Sequence, residues 1–124
     1  MIQQQTSLKI SDNSGAKLAK CIQCFRNKSF AKLGDSVVVT IKKLRPKARL
    51  STKVLKGGVY LAIVTCTKKS FYRKDGSIHF SGSNAVVLLS DSKKTLATRA
   101  LGPLPKSLRQ VQFMKLASLS TGFV

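Results

Sequence analysis

Asp35-Ser36-Val37-Val38-Val39-Thr40-Ile41-Lys42-Lys43-Leu44-Arg45-Pro46 decides the fold of this chain. Val37, Val39 and Ile41 alternate with Val38 and Thr40, the period of two that belongs to a strand. The β-branched residues suit a pleated sheet, and Pro46 ends the run. A basic loop at 47–56 leads to Gly57-Gly58, and the apolar residues 59–67 return as a second strand. A loop that long between hairpin strands is of the functional kind. No acid stands between Asp35 and Asp75, yet eleven cations do: Lys42, Lys43, Arg45, Lys47, Arg49, Lys53, Lys56, Lys68, Lys69, Arg73 and Lys74. The stretch predicts a β framework carrying these cations around two adjacent loops.

On the N-terminal side, residues 7–10 form a short strand and 11–15 a turn rich in Asp, Asn, Ser and Gly. Residues 18–25 alternate, which places Leu18, Lys20, Ile22 and Cys24 on one face and Ala19, Cys21, Gln23 and Phe25 on the other. On the C-terminal side, the second basic loop at 68–76 interleaves Phe71 and Tyr72, and 77–80 pairs with 84–89 as a tight hairpin. Residues 95–100 are extended or a short strand. Pro105 suits a first helical position, so a short helix runs over 105–110. A second, over 111–119, puts Val111, Met114 and Ala117 to one side, with Phe113, Leu116 and Leu119 adjoining. Five or six short strands followed by small helices give a mainly β protein. It is expected to be one domain over 1–124, a small β-barrel with a helical appendage at about 104–120.

Composition narrows the function. The chain has 124 residues, 43% of them hydrophobic, so it can bury a core. Its 23 basic residues face four acids, none of them Glu, for a net charge of +19. That charge calls for a counter-charge, and nucleic acid is the commonest for a small basic domain. No run reaches the roughly 18 apolar residues that span a bilayer. The N-terminus has neither a signal peptide nor an Arg-rich transit helix, so the protein is expected to work where it is made, with Cys21, Cys24 and Cys66 as reduced thiols.

Catalytic chemistry is poorly provided for. Asp12, Asp35, Asp75 and Asp91 each lie in a turn, where carboxylates cap backbone amides. Paired-carboxylate or two-metal chemistry needs acids to spare. His79, the one histidine, alternates with Ile78 and Phe80 and is expected to face solvent or RNA. Cys21-Ile22-Gln23-Cys24 matches C-x-x-C, but residues three apart on a regular strand point to opposite faces. With no second pair, no metal and no cofactor are expected. The basic loops are the chemistry on offer. Arg45, Arg49 and Arg73 can fork to phosphate oxygens while the lysines act as mobile charges. Without a helix-turn-helix, a zinc finger or an aromatic-rich sheet, structured RNA bound through phosphates and shape fits best.

An end-to-end series of short motifs adds to this reading. It includes Met1-Ile2-Gln3-Gln4-Gln5-Thr6, Asp12-Asn13-Ser14-Gly15-Ala16, Thr67-Lys68-Lys69 and Arg73-Lys74-Asp75-Gly76-Ser77-Ile78. Further along stand Asn84-Ala85-Val86-Val87-Leu88-Leu89, Thr98-Arg99, Gly102-Pro103 and Phe113-Met114-Lys115-Leu116-Ala117-Ser118-Leu119. In that order the chain resembles the large-subunit ribosomal protein fourteen family. The resemblance implies a closed five-stranded barrel with short C-terminal helices, embedded in large-subunit rRNA. It also implies a place on the face that meets small-subunit rRNA at intersubunit bridges, with large-subunit ribosomal proteins three and nineteen as neighbours. The family docks a ribosome-silencing factor through a Thr-Arg pair and the last helix, which match Thr98, Arg99, Lys115 and nearby Ser118. The chain departs from the family at Phe80-Ser81-Gly82-Ser83-Asn84, Lys106-Ser107-Leu108, the tail from Ser120 to Val124, and the loop 47–56. The missing Glu and extreme charge point to an organelle-encoded, mitochondrial copy, with a bacterial or plastid ribosome as the alternative. The rival readings are a free-standing barrel that binds RNA or DNA, and an enzyme with a basic channel.

Overall fold

The computed structural model describes residues 1–25, 29–46, 53–109 and 113–124. The strands are β1 (Ser7–Ile10), β2 (Ala16–Cys24), β3 (Ser36–Leu44), β4 (Val59–Cys66), β5 (Phe71–Tyr72), β6 (Ile78–His79) and β7 (Ala85–Leu89). A 3-10 turn at Lys106–Leu108 and the helix α1 (Met114–Leu119) follow. β1, β2, β3, β4 and β7 close into a barrel in that order, all pairs antiparallel except β7 on β1, which is parallel. The fold is the expected mainly β, closed five-stranded barrel.

Alternation builds the interior. Val37, Val39 and Ile41 are fully buried, while Val38 and Thr40 between them stay half-exposed. Leu8, Ala62, Val64, Val86 and Leu88 join them inside the barrel. β7 obeys a different rule, with all five residues buried. Its Val87 and Leu89, with Ile63 of β4, point outward into a second apolar cluster made with Ala100, Leu104, Leu108 and Leu116. The chain after Ala100 therefore folds back over the outside of β4 and β7. Each aliphatic side chain covered this way contributes about 1.5–3 kcal/mol. Gly34 has a φ of 84°, and a side chain there would come within 3.3 Å of Leu108, so the turn before β3 stays bare where the C-terminal segment crosses it.

Several expectations need correction. Register shifts in β2, one of them between Cys21 and Gln23, break its alternation. Ala19, Cys21 and Cys24 are buried together while Ile22 is exposed, so the two cysteines share the barrel interior rather than opposite faces. Residues 77–89 are not a hairpin: β6 pairs with β5, and β7 pairs with β4 and β1. The second basic loop is thus half of a small β ribbon set between β4 and β7. Residues 95–100 form no strand, only isolated bridges at Thr95 and Ala100. The first C-terminal helix is a three-residue 3-10 turn, and α1 begins at Met114. Leu116 faces the protein and Met114 solvent; Val111 lies outside the described residues. Pro105 stands in extended backbone just before the 3-10 turn and lacks the N–H a longer helix would use there.

Candidate nucleic-acid interface

Topology divides the predicted cations. β3 enters the loop toward β4 at one end of the barrel, and β4 delivers the chain to the ribbon at the other. Eight residues of β4 at about 3.3 Å each separate the two ends by roughly 25 Å. The expectation of adjacent loops is therefore wrong. Lys42, Lys43, Arg45, Lys53 and Lys56 stand at one end, and Lys68, Lys69, Arg73 and Lys74 at the other. Lys47 and Arg49 lie outside the described residues.

The structure adds three cations that run-based reading overlooked. Lys9 stands opposite Leu18, and Leu18 opposite Lys43, so one row crosses the outside of β1, β2 and β3. The next row is Ser7, Lys20 and Thr40. Lys9 and Lys17 also line a shallow groove of about 660 Å³ with Leu18, Arg45 and Pro46. Lys9, Lys17 and Lys20 thereby join Lys43 and Arg45 in one cationic wall. The signal available in the sequence was a lysine at alternate positions of neighbouring strands, not a run.

Acids do little to neutralise this wall. The Asp12 carboxylate is fully buried and accepts bonds from the Ser14 amide and hydroxyl and, at 2.9 Å, from the Leu88 amide. It continues the β1–β7 seam where the strand ladder ends. Asp35 caps the Lys32 amide at 2.9 Å. Asp75 accepts from the Ser77 hydroxyl and amide at 2.6 and 3.0 Å, and these bonds hold its carboxyl below the usual range. Asp91 is exposed, and its turn is closed by Ser90 instead. Three of the four acids thus serve turns as expected.

Arg73 and His79 differ from expectation. Arg73 is half-buried, donates to a main-chain oxygen of Val124 at 2.6 Å and lies 3.3 Å from His79 Nδ1. His79 packs on Phe71 with ring centroids 5.4 Å apart, so it does not face solvent. Burial, then the Arg73 charge, lowers the imidazole pKa. Arg73 ties the ribbon to the C-terminal segment, whereas Lys68, Lys69 and Lys74 are exposed.

Thr98 and Arg99 are held together by one unpredicted residue, Asn13. Asn13 Oδ1 accepts from the amides of Thr98 and Arg99, both at 3.1 Å, and its Nδ2 donates to Thr98 Oγ1 at 2.8 Å. The Asn13 amide donates to the Arg99 carbonyl at 3.3 Å. The Ala100 amide donates to the Leu119 carbonyl, which places the end of α1 beside this strip. Ser118 Oγ bonds back to the Lys115 carbonyl at 2.7 Å, and Arg99, Lys115 and Ser118 are all exposed.

The remaining reactive groups are quiet. Burial, and then Cys24, push the Cys21 thiol up to about 11, away from the reactive thiolate. Among the described residues no three His, Cys, Asp or Glu side chains gather around a possible metal ion, and no helix is long and apolar enough to cross a membrane.

A closed barrel with a cationic outer wall and turn-bound acids has the charge and shape that suit a polyanion. The family model for ribosomal protein L14p/L23e matches residues 1–124, and the chain belongs to that family. It is a structural constituent of the large ribosomal subunit, in which members of the family sit with rRNA; the family is not enzymatic.

Proposed function

We propose that the outer wall of β1–β3 and the two cationic ends bind large-subunit rRNA. The row Lys9–Leu18–Lys43, with Lys20 beside it, carries this reading, because it presents cations at strand spacing on a rigid surface. Replacing Lys9, Lys20 and Lys43 together by Gln should weaken rRNA binding and shallow its salt dependence by roughly 0.7–0.9 in log–log slope per lost phosphate contact. An unchanged slope in filter binding refutes the wall. Lys42, Arg45, Lys53, Lys56, Lys68, Lys69 and Lys74 extend the same contact, and the chain acts as one domain with 104–120 as its appendage.

The strip Thr98–Arg99 with Lys115 and Ser118 is the face for intersubunit bridging to small-subunit rRNA and for a ribosome-silencing factor. Its shared exposure and its seat on Asn13 support this. Asn13→Ala should impair subunit joining and factor docking. Asn13→Asp keeps the acceptor for both amides and should restore most of it. Equal sedimentation profiles for wild type and Asn13→Ala would remove the strip. Ribosomal proteins three and nineteen of the large subunit are the proposed neighbours. Four acids against 23 cations support a mitochondrial ribosome; co-sedimentation with bacterial or plastid large subunits instead would overturn that assignment.

A further inference from the structure

The ribbon end of the barrel contains a cleft of about 540 Å³, within the size range of small-ligand sites. Leu33 and Phe71 give it apolar surface, Lys32 and Lys69 give it charge, and Thr67 and Ser70 give it hydroxyls. These groups come from separate segments, each fixed by hydrogen bonds or packing. Ala31 and Ile2 exchange backbone hydrogen bonds at 2.7 and 2.9 Å, which anchors the residue before Lys32. The Gly34 amide donates to the Val64 carbonyl at 2.9 Å, just after Leu33. The Thr67 carbonyl accepts from the Ser81 amide at 3.1 Å, and the Thr67 hydroxyl donates to the Lys69 carbonyl at 3.2 Å. Phe71 is braced by His79 through a tilted ring contact. The cleft therefore exists before any ligand arrives, with its aromatic ring packed against His79.

A cleft lined by an aromatic ring and two lysines suits a ligand with a flat apolar part and an anionic part. Bases within an RNA helix are stacked and hidden, whereas an unpaired base offers a face for an aromatic side chain, with its phosphate one sugar away. An acidic peptide would satisfy the lysines but has no use for a fixed ring. We propose that this cleft takes one unstacked nucleotide of RNA, its base against Phe71 and Leu33 and its phosphate between Lys32 and Lys69. The proposal rests on the RNA-binding reading and makes it selective, since the β1–β3 wall contacts backbone whereas this site takes a base.

The test uses the full-length protein. A ribonucleoside 5′-monophosphate, the matching nucleoside and inorganic phosphate are titrated separately while the Phe71 ring resonances are followed by NMR. The monophosphate should shift the ring and bind more tightly than either component. Phe71→Leu should weaken a single-stranded oligoribonucleotide about tenfold, the scale of one lost stacked base, and leave duplex RNA binding at the wild-type level, whereas Lys69→Glu should weaken both, the single strand more. Wild-type oligoribonucleotide affinity in both variants overturns the cleft and leaves the wall intact. A Phe71 ring that responds to an acidic peptide but not to the monophosphate also overturns it. If the Lys9, Lys20 and Lys43 variant likewise binds all RNA as tightly as wild type, the RNA-binding reading itself fails.

Discussion

The wall of β2 and β3 and the wall of β4 and β7 share one barrel interior and differ outside. Behind Val37, Val39 and Ile41, the outside of the first wall carries Lys20, Val38 and Thr40, all half-exposed. Behind Val64, Val86 and Leu88, the second carries Ile63, Val87 and Leu89, all buried under the C-terminal segment. The interior alone does not decide what a wall can do. Covering one side with the protein's own chain commits it to stability and leaves the other side to present charge at the surface.

The sharpest way to break this contrast is to give both walls the same lysine. Val87→Lys places an unpaired charge under the C-terminal segment and should cost more than about 4 kcal/mol in urea unfolding. Val38→Lys, on the half-exposed face of β3, should stay within about 1 kcal/mol. Equal costs would mean that the C-terminal segment does not seal the second wall. Next in size is the seam between the walls. Asp12→Ala strands the buried Leu88 amide and the Ser14 groups, at about 1–3 kcal/mol for each unsatisfied group, for a loss of about 2–4 kcal/mol. A midpoint close to wild type would show that the seam does not need this carboxylate.

The smallest effect concerns the thiol inside the first wall. The Cys21 pKa is pushed up to about 11 in the folded state, above that of an unfolded thiol. Its contribution to stability is thus complete at neutral pH. It is lost as pH rises through about 9 toward 11, because the unfolded chain releases that proton first. The difference in unfolding midpoint between wild type and Cys21→Val should drift over that window and be flat below it. A flat difference throughout would place Cys21 in water.

The sequence states the barrel most clearly where one face meets water. β3 forms where the alternation predicts a strand, and Val37, Val39 and Ile41 lie where the pattern puts them. β7 is a continuous apolar run with no face to read, so its pattern does not show its partners, which are β4 and β1 rather than the nearby 77–80 segment. The bulges of β2 also escape a reading of one strand, because a register shift belongs to a pair. The site was legible in kind rather than in place. The lysine runs are exposed as expected, but a run shows neither that β4 separates its two halves nor that Lys9 and Lys43 share one row across three strands. Asn13 read as a turn former, which it is; its second task depends on a segment 85 residues away.

The parallel seam of β7 on β1 also sets a timetable for synthesis. Asp12 waits for Leu88, 76 residues later, so the barrel cannot shut until most of the chain has left the peptide tunnel. Until then β1 and β4 are open edges around a greasy half-shell, the kind of intermediate that aggregates. Nearly every early cation, from Lys9 to Lys56, is already outside by that stage. Mutual repulsion between nascent chains would protect the half-shell during that delay.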